Sequence, residues 1–164
     1  MSIRITKGSI FKVKLGDERI RYFQFLGKDK SELNGDVIAI FKNHYTNESV
    51  TPEMVANDEI ECIMHTSVLA GIKLGLWERV FSSPIKIIEK EISFKTSLDY
   101  GLYPRQYIVS HRWVIWSMNE EKRYVGVLPK EHYNAALGCI YAPMHVISRL
   151  ETGEEPAKFY PGFC

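Results

Sequence analysis

Three stretches of β-strand character lie within the first forty-one residues, at 8–15, 20–27 and 35–41, and they constrain the fold more than any other feature. The first stretch alternates apolar and polar side chains, which is the period-two pattern of a half-buried strand. The other two carry bulky or apolar side chains on both faces, as strands do when both sides of a sheet are covered. A polar segment at 16–18 and the turn signal at 34–35 separate the three stretches. The chain therefore starts as a sheet.

The rest of the chain mixes further strands with short helices. Thr51-Pro52-Glu53 combines a capping residue, a proline at the first helical position and an early carboxylate, and predicts a helix to about Asn57. Apolar spacing predicts a turn of helix at 69–76, closely packed at its glycines and ended by Trp77. Other composition and turn signals predict three strands and a last helix, at 59–67, 106–118, 123–128 and 143–153.

These elements predict an α+β fold: a mainly antiparallel, strongly bent sheet, or a partly open small β-barrel, with two or three short helices. The length of 164 residues and the 45% hydrophobic content fit a single domain over 1–164, with a C-terminal tail at 153–164. Residues 82–103 give no clear pattern. We expect four aromatic side chains to be substantially buried: Phe11, Tyr22, Phe25 and Trp113.

Charge and cysteine content bear on compartment and partners. The formal net charge is +1, so the molecule as a whole has no field that would attract nucleic acid or anionic lipid. No apolar stretch approaches the roughly 18 residues that cross a bilayer, and the first residues do not have a signal-peptide pattern. Three widely spaced cysteines make a poor disulfide framework and favour reduced thiols. We expect a cytoplasmic protein with no membrane partner.

Candidate chemical sites are weak. Cys62 and His65 are close in sequence, but an odd separation on a strand points them to opposite faces, and no second pair supplies further metal ligands. Glu59 and Glu61 would project from one face about 6.5 Å apart, a separation comparable to that of glycosidase carboxylates, although a solvated strand face explains them better. We expect no catalytic residue, metal or cofactor. A small hydrolase remains an alternative.

The charges are polarised along the chain. Residues 1–30 contain eight Lys or Arg and three Asp or Glu, whereas residues 43–72 contain five acidic residues and no Lys or Arg. The basic segment suggests a small RNA-binding barrel that stacks bases on exposed Phe23 or Phe25 and contacts phosphates through Lys12, Lys14, Arg19 and Arg21. The acidic segment suits a basic protein that itself binds nucleic acid, because complementary charge speeds association.

Several apolar and glycine motifs resemble the immunity protein 26 family of bacterial polymorphic toxin systems. The motifs are KGSIFKV at 7–13, RYFQFLGK at 21–28, HT at 65–66, GIKLGLWE at 71–78 and WVIWSMN at 113–119. The resemblance covers about residues 5–153. It implies a cytoplasmic bacterial protein that binds and neutralises a cognate toxin and has no catalytic activity. The resemblance gives no catalytic residues that could be assigned to positions in this sequence.

The binding surface is therefore predicted from charge and not from the resemblance. Asp58, Glu59 and Glu61 form the centre of the predicted partner-binding patch, with His44 and Tyr45 as neighbours. The expected partner is a cognate protein toxin, such as a basic nuclease, which the patch would cover. Nucleic acid is not expected to bind this protein directly.

Overall fold

The computed structural model describes residues 3–47, 49–101, 109–157 and 160–163. These residues form three α-helices and two sheets, which confirms the α+β prediction. All strand pairs but one are antiparallel. Within the described ranges neither sheet closes into a barrel, so of the two predicted architectures the bent sheet is the one observed.

The first sheet has five antiparallel strands in the order β4-β3-β2-β1-β5. Their bounds are Ser9–Lys14 (β1), Ile20–Asp29 (β2), Gly35–Phe41 (β3), Ile60–Thr66 (β4) and Glu78–Ser82 (β5). Three of the four strand pairs contain a register shift, near Phe11, Phe25 and Phe41. Such bulges bend a strand and increase its twist, which accounts for the strong curvature.

The second sheet was not predicted as a separate unit. Its order is β8-β7-β6-β9, with bounds Ser93–Ser97 (β6), Trp113–Ser117 (β7), Arg123–Gly126 (β8) and Ala136–Leu137 (β9), and β9 runs parallel to β6. The strand predicted at 106–118 is shorter in the described residues, because β7 begins at Trp113. Residues 106–108 lie outside the described part of the chain.

The three predicted helices are present, although the second ends at Lys73, before the predicted end at Trp77. They span Pro52–Ala56 (α1), Val68–Lys73 (α2) and Pro143–Thr152 (α3). Thr51 Oγ1 accepts from the Met54 backbone N–H at 3.3 Å and caps α1. Gly153, with φ of 73°, ends α3 in the left-handed conformation. The predicted close packing on α2 is also present, because the Trp77 ring lies directly against Gly71.

The first sheet is covered on both faces, which explains why β2 and β3 lack simple alternation of apolar and polar residues. On β3, Ile38 and Ile40 face a core that includes α2, α3 and Trp77. Val37 and Ala39 face a second core shared with the second sheet through Phe94 and Trp116. The four aromatic residues predicted to be buried, Phe11, Tyr22, Phe25 and Trp113, are all buried. Burying apolar area on both faces supplies the main driving force for this fold.

The described end of the chain packs on the second sheet. The Ser110 backbone N–H donates to the Gly162 carbonyl at 2.9 Å. The rings of Tyr160 and Phe163 each lie 5.9 Å from the Trp113 ring. The segment that the sequence predicts to be a tail thus contributes residues 160–163 to a small apolar cluster on this sheet.

Candidate functional site

The five predicted site residues come together at one end of the first sheet. The segment after β3 runs beside the segment before β4: the Lys42 backbone N–H donates to the Glu59 carbonyl at 2.9 Å. Tyr45 forms a bridge with Ile20 and packs edge-on against Tyr22, with ring centroids 5.5 Å apart. We call this surface the end patch, defined by five residues: His44, Tyr45, Asp58, Glu59 and Glu61.

Each carboxylate of the end patch has a fixed partner. The Asn43 backbone N–H donates to Asp58 Oδ2 at 2.8 Å. Glu59 accepts from Lys42 Nζ at 3.0 Å, and Glu61 accepts from the Arg21 guanidinium at 2.8 Å. Burial raises the pKa of Asp58 above its ordinary value. Asp58 is therefore held by the backbone of Asn43, and Glu59 and Glu61 each lie beside a cation that offsets part of their charge.

Glu59 and Glu61 do not act as a matched pair. The Glu59 side chain is 77% exposed, whereas the Glu61 side chain is 25% exposed and pairs with a guanidinium that is only 1% exposed. The register shift between Ile40 and Phe41 places Glu61 at a bulge. The two acids thus engage different cations, one at the surface and one in the interior, and only Glu59 is freely available to a partner.

Two arginines support the end patch from β2 and the turn before it. Arg21 donates to the Leu150 carbonyl at 3.1 Å and to the Phe41 carbonyl at 2.7 Å. Arg19 donates to the Glu151 carbonyl and to His44 Nδ1, each at 3.0 Å. Both arginines therefore satisfy carbonyls near the C-terminal end of α3. Burial, followed by these arginine charges, lowers the pKa of His44.

The predicted RNA-binding surface does not form in this structure. Arg21 is buried and engaged by three acceptors, and Phe23 and Phe25 are both buried in the core. Lys12 pairs with Glu78 at 2.8 Å. A stacking surface needs exposed rings, so these aromatic residues are core residues.

Sequence reasoning missed a buried polar network between the two sheets. Asp29 Oδ2 accepts from His65 Nε2 at 3.0 Å and from the Trp116 indole N–H at 2.9 Å. Asp29 Oδ1 accepts from the Ser31 hydroxyl and the Asn119 backbone N–H. Burial raises the pKa of Asp29, but these hydrogen bonds outweigh it and the net shift is downward. The network ties β2 and β4 to β7.

His65 in this network is held as the neutral imidazole. Its Nε2–H donates to Asp29, while Nδ1 has no hydrogen-bond partner among the described residues. A second proton would sit on Nδ1 without an acceptor in a fully buried site. Burial accordingly lowers the pKa of His65 and outweighs the opposing effect of Asp29.

This geometry predicts that stability falls as the pH drops below about 6.5, the ordinary histidine pKa. Below that pH the unfolded chain takes up a proton at His65 that the folded chain does not bind, so the free energy of unfolding decreases by up to about 1.4 kcal/mol per pH unit. Urea unfolding at pH 7.5, 6.5 and 5.5 measures this. The fall should persist in His44→Gln, which removes another histidine of lowered pKa. Equal stability at pH 6.5 and 5.5 would contradict the neutral assignment.

A second candidate site is a cavity of about 500 Å³ where β4, β6 and β9 meet the chain end. Lys95 lines it with only 5% of the residue exposed. Its Nζ donates to the Tyr133 carbonyl and lies 4.5 Å from the centre of the Phe163 ring. Burial lowers the pKa of Lys95. This site was not predicted, because a lysine in the largely polar segment SFKTS is typical of a surface position.

The titratable residues that line the cavity are also relevant to the alternative that this protein is a small hydrolase. Cys62 lines it, but burial raises the pKa of this thiol and so disfavours the nucleophilic thiolate. Glu61 is engaged by Arg21, and Glu155 accepts a hydrogen bond from the Tyr141 hydroxyl. Two of the carboxylates that line the cavity, Glu61 and Glu155, thus have partners within the fold.

No protein-family model matches the chain, and no curated protein or solved structure matches it either. Within the part of the chain that the structure describes, no helix has the length and apolar character needed to cross a membrane. The same residues contain no cluster of three or more His, Cys, Asp or Glu side chains suited to a metal ion.

Proposed function

We propose that this protein is a non-catalytic immunity protein of the cytoplasm that binds a cognate bacterial toxin and neutralises it by occlusion. The motif resemblance to the immunity protein 26 family suggests this class of function. The observation that carries the proposal in the structure is the end patch, where charged and aromatic side chains from two segments distant in sequence meet at one surface.

The end patch suits protein binding because its side chains are already ordered. Asp58 is only partly exposed and accepts from the Asn43 backbone N–H, so little of its side-chain freedom is lost on association. Tyr45 is half-buried against Tyr22 and presents a rigid aromatic edge, the type of side chain that often anchors an interface. Met54 on the adjoining α1 is 48% exposed and adds apolar area.

The chemistry of the end patch favours a basic partner, for example a nuclease whose own binding surface is cationic. Glu59 is largely exposed, and Glu53 on α1 is exposed as well. Complementary charge would steer such a toxin to this surface and reject acidic proteins. Occlusion requires a stiff surface, and the end patch adjoins the end of a sheet that is packed on both faces.

Charge reversal at Glu59 tests this proposal. We expect Glu59→Lys to weaken toxin binding at least tenfold, which corresponds to about 1.4 kcal/mol, because it places a cation opposite a cationic partner. Stability should change little, since the Glu59–Lys42 pair is exposed. The measurement is survival and copurification on coexpression with the toxin encoded beside the gene.

The matched control is Glu78→Lys. Glu78 also pairs with a lysine and is 63% exposed, but it lies on β5 at the opposite edge of the same sheet. This variant should protect cells as well as the parent protein does. Full protection by Glu59→Lys, or equal loss in both variants, would remove the end patch as the binding surface.

A further inference from the structure

Lys95 is the side chain least explained by the fold or by toxin binding. It lies in the middle of β6 and is almost fully buried, yet it makes no ion pair with any residue that the structure describes. Burying an ammonium group without a counter-charge is costly, so proteins normally avoid it or use it. A lysine in such a position is a candidate ligand-binding group.

The amine of Lys95 has unused hydrogen-bonding capacity. An ammonium group has three N–H donors, and the Tyr133 carbonyl accepts one of them. The Phe163 ring interacts with the cation through its face and accepts no conventional hydrogen bond. The remaining capacity suits an anionic group, because a charge-assisted bond to an oxyanion is the strongest interaction available to an ammonium.

The walls of the cavity define the rest of the ligand. Tyr160 and Phe163 are half-buried and line it with aromatic surface, and Leu137 and Ile63 add aliphatic surface. Tyr160 is stacked on Tyr100 with ring centroids 4.4 Å apart, so its position is fixed. A volume of about 500 Å³ is in the range that holds a small organic molecule.

The carboxylates that line the cavity do not block an anion at Lys95. Arg21 balances the charge of Glu61, and Glu155 is bonded to the Tyr141 hydroxyl. Glu91 lies in an exposed turn at Glu89–Glu91 and so is in contact with solvent. The buried part of the site is therefore dominated by one ammonium and several rings.

We propose that this cavity binds a small aromatic carboxylate, whose carboxylate accepts hydrogen bonds from Lys95 Nζ and whose ring packs against Tyr160 and Phe163. The binding step is non-covalent. The proposal does not rest on toxin neutralisation: Glu59, the residue on which the toxin test depends, does not line the cavity, although Glu61 belongs to both the end patch and the cavity wall. Glu91 also lines the cavity, so the probes include one carboxylate ligand with an amino group and one without.

The test is a titration with three indole probes followed by ¹H–¹⁵N correlation spectra. Indole-3-acetate and tryptophan carry a carboxylate, and tryptamine has the same ring without one. We expect the first two to shift the indole N–H signal of Trp113, which stacks near Tyr160, at concentrations below about 10 mM. The Trp77 signal should not move, because Trp77 lies in the core beside α2. Stronger binding of tryptophan than of indole-3-acetate would assign a role to Glu91 within the proposal.

Two lysine variants test whether binding depends on the ammonium group of Lys95 or only on the apolar walls of the cavity. We expect Lys95→Met to weaken indole-3-acetate binding at least tenfold and to raise Tm by about 2–4 °C, because a methionine removes the uncompensated buried charge. Lys90→Met, at an exposed lysine of the turn before β6, should change neither.

Three results would overturn the proposal: no Trp113 shift with either carboxylate, equal binding of tryptamine, or unchanged binding in Lys95→Met. The tryptamine comparison uses the wild-type protein and so does not depend on the folding of a variant.

Discussion

Asp29→Ala is expected to lower the free energy of unfolding by about 3–5 kcal/mol, the cost of removing one partner from a buried charged network. Asp29 is fully buried and accepts hydrogen bonds from four donors: the His65 ring, the Trp116 indole, the Ser31 hydroxyl and the Asn119 backbone. Alanine leaves the buried donors unpaired, each at a cost of about 1–3 kcal/mol when no water replaces the oxygen. Because total stability is only about 5–15 kcal/mol, this variant should lie close to unfolding.

Urea denaturation at pH 7 measures the loss. The control is Asp17→Asn, which alters an aspartate that is exposed and pairs with Arg19 at the surface; its unfolding midpoint should stay at the parent value. Asp29→Asn should fall between the two, because it keeps one carbonyl oxygen and loses the charge. An Asp29→Ala protein with the midpoint of the parent would show that the network does not hold the sheets together.

Gly71→Ala should cost about 2–3 kcal/mol, the typical penalty for overpacking a filled core. A β-carbon at this position would lie 1.9 Å from Cζ2 and 2.1 Å from Cε2 of Trp77, far inside contact distance. The ring cannot easily move, since its indole N–H donates to the Val68 carbonyl at 2.9 Å and the residue is buried. The better helix propensity of alanine, about 1 kcal/mol, offsets only part of the strain.

Gly16→Ala is the matched control. No described residue lies within 4 Å of a β-carbon at position 16, so the change in stability should stay within about 0.5 kcal/mol. Thermal unfolding followed by near-ultraviolet circular dichroism suits both variants, because Trp77 reports the packing directly. Equal stability of Gly71→Ala and the parent would mean that α2 is free to shift away from the ring.

Four of the five strands of the first sheet and the three helices could be predicted from local sequence, whereas the short edge strand β5 was not predicted. β1 alternates apolar and polar residues, and Thr51, Pro52 and Gly153 mark helix ends by the conformations that they favour. β6 could not be predicted, because its sequence SFKTS contains one large apolar residue and pairs with a strand far along the chain. The docking of 160–163 likewise depends on tertiary contacts.

The residues of the end patch lie together as the sequence suggests, but the patch carries less net negative charge than predicted. Arg21 on β2 and Lys42 just after β3 pair with Glu61 and Glu59. A count of charges along the chain cannot include such cross-strand partners. The sequence did not predict that Lys95 and Asp29 are buried. Charged residues usually lie at the surface, and only the fold places these two in the interior.

Hydrogen–deuterium exchange on the complex with the toxin encoded beside the gene tests most directly whether the end patch is the binding surface. The protein alone and the complex would be compared peptide by peptide. We predict slower exchange on binding in residues 42–47 and 52–61, and unchanged exchange in the β7–β8 hairpin at 113–126. Failure of the purified proteins to form a complex, or protection confined to the hairpin, would contradict the proposed function or its surface, respectively.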